Sequence, residues 1–275
     1  MGFRINTNIA ALNAMRQLNK TTGRLDKSLE RLSSGLRINR AADDAAGLAI
    51  AEAFRARVSG LQVSQRNAQD GISLVQTAEG ALTETTNMLQ RMRELAVQAA
   101  SGTISDTNRA ALQAEFSQLI EQIDDIATDT EFNGTSLLDG STSTVSIQAG
   151  AGTGQTLSVT LTGADSADLS INGANFYVSA MAQAATAIQV IDSAILTVSS
   201  TRALLGAAQN RLEFTINTLA IQEENSAASE SAIRDANIAK ETTEFTRNQI
   251  LISAGTSILA QANIVPQTAL KLIGG

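Results

Sequence analysis

The chain of 275 residues contains no Cys, His or Trp, a single Tyr and a single Pro, and its formal charge is −7. Lacking thiol and imidazole, it has no cysteine nucleophile, no histidine base, no disulfide and no usual zinc or iron site; only carboxylate sites for hard cations remain open. Its 43% hydrophobic content, rich in Ala, Leu and Ile and poor in aromatics, suits long helices packed at close range.

The charge is unevenly spread. Residues 1–40 carry eight Lys and Arg (Arg4, Arg16, Lys20, Arg24, Lys27, Arg31, Arg37 and Arg40) against Asp26 and Glu30, whereas residues 110–201 hold ten acidic residues and no basic one. A basic end and an acidic middle attract each other, or their equivalents on a neighbour, within a Debye length of about 10 Å. A solvated helix face explains the basic residues equally well. No aromatic interleaves with them, which argues against nucleic-acid binding. No run of about 18 apolar residues occurs, so no membrane span is expected. The first 20 residues lack the apolar core of a signal peptide, and Asn6 stands where myristoylation needs Ser or Thr.

Residues 4–34 read as a helix. Ile5, Ile9, Leu12, Met15, Leu18, Leu25, Leu29, Leu32 and Leu36 recur at steps of three and four, and Ser33-Ser34-Gly35 supplies a stop. Asp43 and Asp44 are suited to capping the next helix. That helix, expected over residues 44–100, places Leu61, Ala68, Val75, Leu82, Leu89 and Ala96 at strict sevens, with Ala78, Thr85, Met92 and Ala99 in the partner row. At roughly 1.5 Å per residue it approaches 85 Å, and a sustained seven-residue period means a seam against other helices. Ser101-Gly102 breaks it. A third helix over residues 105–128, with Leu112, Phe116, Leu119, Ile123 and Ile126, should fold back antiparallel.

The period then changes to two. Residues 144–149 carry Val145, Ile147 and Ala149 on one side, and residues 155–162 carry Leu157, Val159 and Leu161, so two strands joined by a loop at 150–154 are expected. A further strand is read around Leu169 and Ile171. Helices resume near Ser179, with Leu205, Leu212 and Leu219 seven apart and Ala208 and Thr215 interleaved. Beyond Glu230 a last helix carries Ile233, Ile238, Phe245, Ile252, Leu259 and Ala262. Pro266 should perturb its end, ahead of an apolar tail of Leu270, Leu272 and Ile273.

Three features imitate chemistry. Gly150-Ala151-Gly152-Thr153-Gly154 looks like a phosphate loop, but no helix opens behind it and no Lys follows, so it reads as a hairpin turn. Asp124-Asp125 and Glu223-Glu224 are neighbours on helices and point about 100° apart, so neither pair converges. Asn133-Gly134-Thr135 fits a glycosylation sequon and, with greater weight, a turn.

The fold class expected is therefore mainly α: a long antiparallel helical bundle or coiled coil with a small β-hairpin insert. Two domains are expected. Residues 1–43 and 235–275 form a discontinuous terminal coiled coil, and residues 44–234 form a helical domain with a β insert at about 132–178.

Several long motifs, in order, resemble bacterial flagellin. Ile5-Asn6-Thr7-Asn8-Ile9-Ala10-Ala11-Leu12-Asn13-Ala14 is similar to the family's opening. Leu32-Ser33-Ser34-Gly35-Leu36-Arg37-Ile38-Asn39 and Ala41-Ala42-Asp43-Asp44-Ala45-Ala46-Gly47 follow it. Gln90-Arg91-Met92-Arg93-Glu94-Leu95-Ala96-Val97-Gln98 resembles the mid-helix signature, and Thr130-Glu131-Phe132-Asn133-Gly134 the entry to the β region. Ala254-Gly255-Thr256-Ser257-Ile258-Leu259-Ala260-Gln261-Ala262-Asn263 is similar to the C-terminal helix.

The resemblance implies a structural subunit that stacks head-to-tail into the extracellular flagellar filament for swimming, with no enzyme activity and no cofactor. It implies terminal helices that line the filament channel, packed through Ile9, Leu12, Leu18, Leu25, Leu29, Leu32, Ile252, Leu259 and Ala262. The insert of about 45 residues leaves no room for outer domains. Export unfolded through the type III apparatus, without a cleaved signal, is implied too. The implied partners are copies of the chain, the flagellar cap and hook-junction proteins, and an export chaperone on the C-terminal region. The vertebrate Toll-like receptor for flagellin is implied as a host partner, with its surface carried onto Gln90, Arg91, Leu95 and Glu115. The alternative is a hook–filament junction protein, which resembles flagellin at its ends; a soluble coiled-coil scaffold and an enzyme housed in the insert are further readings.

A helix of about 30 residues with one apolar stripe is marginal alone. Residues 1–40 and 235–275 are therefore expected to be largely disordered in a free monomer and to fold when subunits stack, through a repeat that does not close.

Overall fold

Asn8 starts the first helix. Its Oδ1 accepts the Ala11 N–H at 3.0 Å, and α1 (Ile9–Ser34) runs from there to Gly35, whose left-handed φ of 72° turns its N–H back to the Arg31 carbonyl. The computed structural model describes residues 7–172 and 176–273, with side chains as far as Ile264. Ile5 of the expected stripe lies outside the described residues, as do the side chains of Leu270, Leu272 and Ile273. The helix expected from residue 4 begins at Ile9, because Asn8 holds a non-helical cap conformation.

The two capping carboxylates expected before α2 (Ala45–Ala99) divide the work. Asp44 Oδ1 accepts the Gly47 N–H at 2.9 Å and is the cap, whereas Asp43 closes the turn before it. Ser105 caps α3 (Asp106–Asp129). Buried Arg109 reaches from α3 to the carbonyls of Ala99 and Ser101, satisfying acceptors that the end of α2 leaves free.

A two-residue hairpin that the periodicity did not reveal comes next. Strands β1 (Glu131–Phe132) and β2 (Thr135–Ser136) pair across Asn133 and Gly134, both at positive φ, as so tight a turn requires. The expected hairpin follows. Strands β3 (Thr144–Gln148) and β4 (Thr156–Thr160) pair antiparallel, with Val145 opposite Val159 and Ile147 opposite Leu157. The strand expected around Leu169 and Ile171 does not form. Both residues are buried, but their N–H groups bond back to Asp165 and Ser166 in consecutive turns, so no ladder donor is left at either. Asp124 holds this segment on α3 by accepting from the Ser166 N–H and hydroxyl.

Helix α4 spans Met181–Arg234, and α5 spans Ile238–Ile273. Ile233 thus ends α4 instead of opening the last helix; the break falls at Asp235-Ala236-Asn237, where Asn237 caps α5. Pro266 does not end α5, which continues to Ile273.

The chain divides into two compact units, Met1–Val58 with Asn225–Gly275, and Ser59–Glu224. Within the second, α2 buries Leu61, Ser64, Ala68, Gly71, Val75, Ala78, Leu82, Thr85, Leu89, Met92, Ala96 and Ala99, both rows of the seven-residue repeat. Helix α4 answers with Ala184, Ala187, Ile191, Ala194, Val198, Thr201, Leu205, Ala208 and Leu212 at alternating steps of three and four, and with Leu219 seven residues further on. The two run antiparallel, tied by Arg93 to Asp192 at 2.7 Å and by Gln62 and Gln65 to Glu223 at 2.7 and 3.0 Å. Helix α3 covers them with Phe116, Ile123 and Ala127, and Phe176 stacks on Phe116 at 5.1 Å. An 18-residue stretch of α4 reaches a mean hydropathy of 1.3, enough by length and composition for a membrane span, which no apolar run had indicated. Its regular buried row places α4 in the core of the second unit.

Candidate assembly surface

In the first unit α1 lies antiparallel along α5. The register is marked at three points: Asn8 against Ala262, Leu18 against Gly255, and Arg31 against Glu241. The residues turned inward are Ala11, Ala14, Leu18, Thr21, Leu25, Ser28 and Leu32 on α1, and Glu241, Phe245, Asn248, Ile252, Gly255, Leu259 and Ala262 on α5. Both rows alternate by three and four, as in a coiled coil. The seam is thin. Its only fully buried members are polar, namely Thr21, Ser28 and Asn248. Leu18, Leu25, Leu32, Ile252, Leu259 and Ala262 are half-buried.

The other residues expected to pack the filament core face water. Ile9 is 55% exposed, and Leu12, Met15 and Leu29 are equally open. Leu12, Met15 and Leu29 each directly follow a seam residue, which turns them about 100° away from α5. The single stripe read on α1 is therefore two adjoining faces: one used within the chain, the other unused. Helix α5 repeats this pattern with exposed Ile238, Ile250, Leu251, Ile258 and Ile264. Helix α4 carries further exposed apolar residues, with Leu196, Phe214 and Ile221 on the side away from its buried row and Leu204 on its flank. Contiguous apolar surface of this kind marks a site of association.

Polar contacts close the base of the terminal pair. Leu36 and Asp235 form an isolated antiparallel bridge, with the Arg37 N–H donating to Arg234 at 2.6 Å and the Ala236 N–H to Gly35 at 2.9 Å. The Arg37 guanidinium also donates to the Ile233 carbonyl. Lys27 pairs with Asp43 at 2.6 Å and Arg40 with Glu30 at 2.8 Å, so two of the eight basic residues of 1–40 are paired locally.

In the second unit, Gln90, Arg91 and Glu115 share an exposed face of α2 and α3. Arg91 bridges Glu115 at 2.8 Å and Glu94 at 3.0 Å, and these hydrogen bonds, that to Glu115 foremost, raise its pKa. Leu95 does not join that face. It is 1% exposed, standing beside the inward row at Met92, Ala96 and Ala99 and buried in the same hydrophobic core. Asn8 and the buried polar trio of the seam were missed from sequence. The alternation 11, 14, 18, 21, 25, 28, 32 was there to find, but Thr and Ser do not register as apolar positions. Among the described residues no group of three or more acidic side chains is placed to hold a metal ion.

A long core unit joined to a thin two-ended helical pair, with apolar faces left open, defines a self-associating structural subunit. The comparisons agree with that class. The chain matches the bacterial flagellin N-terminal helical region over residues 5–143 and the C-terminal helical region over residues 188–273. A flagellin of Halalkalibacterium halodurans is 49% identical over 98% of this chain and 99% of its own length. The flagellar filament 31.3 kDa core protein of Treponema maltophilum is 41% identical, over 98% and 99%. The crystal structure of Bacillus cereus flagellin superposes with a TM-score of 0.51 at 36% identity, covering 60% of this chain and 94% of that one. The chain belongs to the bacterial flagellin family, whose members are structural proteins and not enzymes.

Proposed function

We propose that the chain is the structural subunit of an extracellular bacterial flagellar filament, in which copies bury the apolar faces that one molecule leaves open. One observation carries this reading: Ile9, Leu12, Met15 and Leu29 on α1, and Ile250, Leu251 and Ile258 on α5, flank a seam that is already filled. At about 25 cal/mol per Å² of apolar surface removed from water, such faces repeated over several neighbours outweigh the entropy of ordering two thin helices. A contact that repeats by a rotation that does not close builds a helical fibre. The terminal unit carries the helices that pack copies together in the filament core. Nothing observed favours the hook–filament junction alternative.

The same reading includes export through the flagellar type III route without a cleaved signal, an export chaperone on the C-terminal region, and the cap and hook-junction proteins as neighbours. It includes host detection by the Toll-like receptor for flagellin through Gln90, Arg91 and Glu115. The core position of Leu95 supports this face from beneath.

Polymerisation of the purified chain by added salt, followed by negative-stain microscopy, tests the assignment. Smooth filaments are expected. A chain that stays monodisperse in every polymerising buffer, with α1 and α5 amides protected in the monomer, overturns it.

A further inference from the structure

The one proline of the chain leaves a gap that the opposite terminus fills. Helix α5 runs through Pro266, which has no N–H, so the carbonyl four residues earlier, at Ala262, loses its regular helical donor. The donor comes from the other end of the chain: Asn8 Nδ2 donates to the Ala262 carbonyl at 2.9 Å. The same side chain's Oδ1 accepts the Ala11 N–H at 3.0 Å and caps α1. One amide thus satisfies an orphaned donor of one helix and an orphaned acceptor of the other.

This matters because the apolar rows of the seam repeat at seven, and only a few other contacts, Leu18 on Gly255 and Arg31 with Glu241 among them, tell one register from the next. Leu18, Leu25 and Leu32 stand seven apart, and so do Phe245, Ile252 and Leu259, so sliding one helix by seven residues again sets the leucines between the large residues of the other helix. The bridge between Leu36 and Asp235 holds the near end of the pair, about 28 residues of α1 away from Asn8.

We propose that Asn8 is a register-setting residue: it reads the carbonyl left free by Pro266 and so fixes how the two chain ends align before copies stack on them. The residues before Pro266 are then aligned with the start of α1, and the open faces of α1 and α5 present one pattern to a neighbour. The inference rests on the polymer reading only for its assembly readout.

The test is a cycle of four proteins: wild type, Asn8→Ser, Pro266→Ala and the double variant. Serine retains the cap acceptor but cannot span to Ala262, while alanine at 266 restores the missing N–H. Amide exchange of α1 is measured on the polymer, or on the dissolved chain should no polymer form, together with the concentration of unpolymerised protein at equilibrium. Asn8→Ser is expected to speed α1 exchange and raise the unpolymerised concentration by about tenfold, the scale of one such hydrogen bond. In the Pro266→Ala background the same change should cost under twofold. Equal effects of Asn8→Ser in both backgrounds overturn the proposal. Failure of the wild type to polymerise overturns the filament reading instead, and the exchange cycle still decides the register role. Asn8→Asp, a good cap that places a carboxylate against the carbonyl, should be worse than Ser only while proline is at 266.

Discussion

Lys27 Nζ lies 2.6 Å from Asp43 Oδ1 and fastens the middle of α1 to the turn that leads into α2. The second carboxylate oxygen accepts the backbone N–H groups of Asn39 and Arg40 at 3.3 and 3.2 Å. The hydrogen bond from Lys27 is the largest influence holding Asp43 below the ordinary value of 3.8, and the two backbone bonds add to it. A carboxylate depressed on folding contributes stability that is complete above its unfolded value and disappears as pH falls through the folded one. The terminal unit should therefore loosen below about pH 4. Asp43→Asn should lower its melting temperature at pH 7 and flatten the acid limb of the stability curve. An unchanged acid limb would exclude Asp43 as its source.

Leu25 and Leu259 both sit in the seam of the terminal pair, and neither contributes to the core of residues 59–224. A glutamate at either must be desolvated or must open the seam, at a cost of several kcal/mol. Leu25→Glu and Leu259→Glu should each abolish polymerisation, as read by sedimentation. The exchange protection around Leu82, Leu89 and Leu205 should remain as in the wild type.

Gly71 and Gly80 lie nine residues apart on α2 and should respond oppositely to a methyl group. A Cβ at Gly71 would collide with Cδ1 of Ile147 on β3, whereas nothing lies within 4 Å of one at Gly80. Gly71→Ala should force the Ile147 side chain into another rotamer and destabilise the second unit by roughly 1 kcal/mol. Gly80→Ala should stabilise it by roughly 0.5–1 kcal/mol, since only helix propensity changes. Chemical denaturation of the two variants checks both signs.

Arg91 and Leu95 are one turn apart on α2, the first exposed and the second buried. Arg91→Ala should leave the melting temperature nearly unchanged while weakening binding to the flagellin receptor ectodomain by about tenfold, typical of an arginine anchor. Leu95→Ala should cost about 2–5 kcal/mol of folding stability. If Arg91→Ala binds the receptor as tightly as wild type, the exposed Arg91–Glu115 pair is a structural contact alone.

The long helices were legible because their cores are written in repeats. Leu61 through Ala96 at sevens on α2, and Leu205, Leu212 and Leu219 on α4, are buried as their spacing required. Hairpin β3–β4 was legible from the alternation of Val145 and Ile147 with polar residues. The segment around Leu169 and Ile171 misled because two apolar residues two apart also suit a pair of turns, and the choice was made by Asp124 on α3 capturing Ser166. The β1–β2 hairpin is too short to show any period.

The sequence by itself determined the order of the helices, the heptad seam of the central pair, the Gly35 stop and the kinship of both ends with flagellin. All of these depend on residues near one another along the chain. Tertiary structure alone decided which half of the α1 stripe is used within the molecule and which is left open, that Leu95 supports a face it does not join, and that Asn8 meets the carbonyl released by Pro266. Those outcomes depend on which helix lies alongside and in what register. Periodicity within one segment gives the direction a side chain points, but not what stands opposite it.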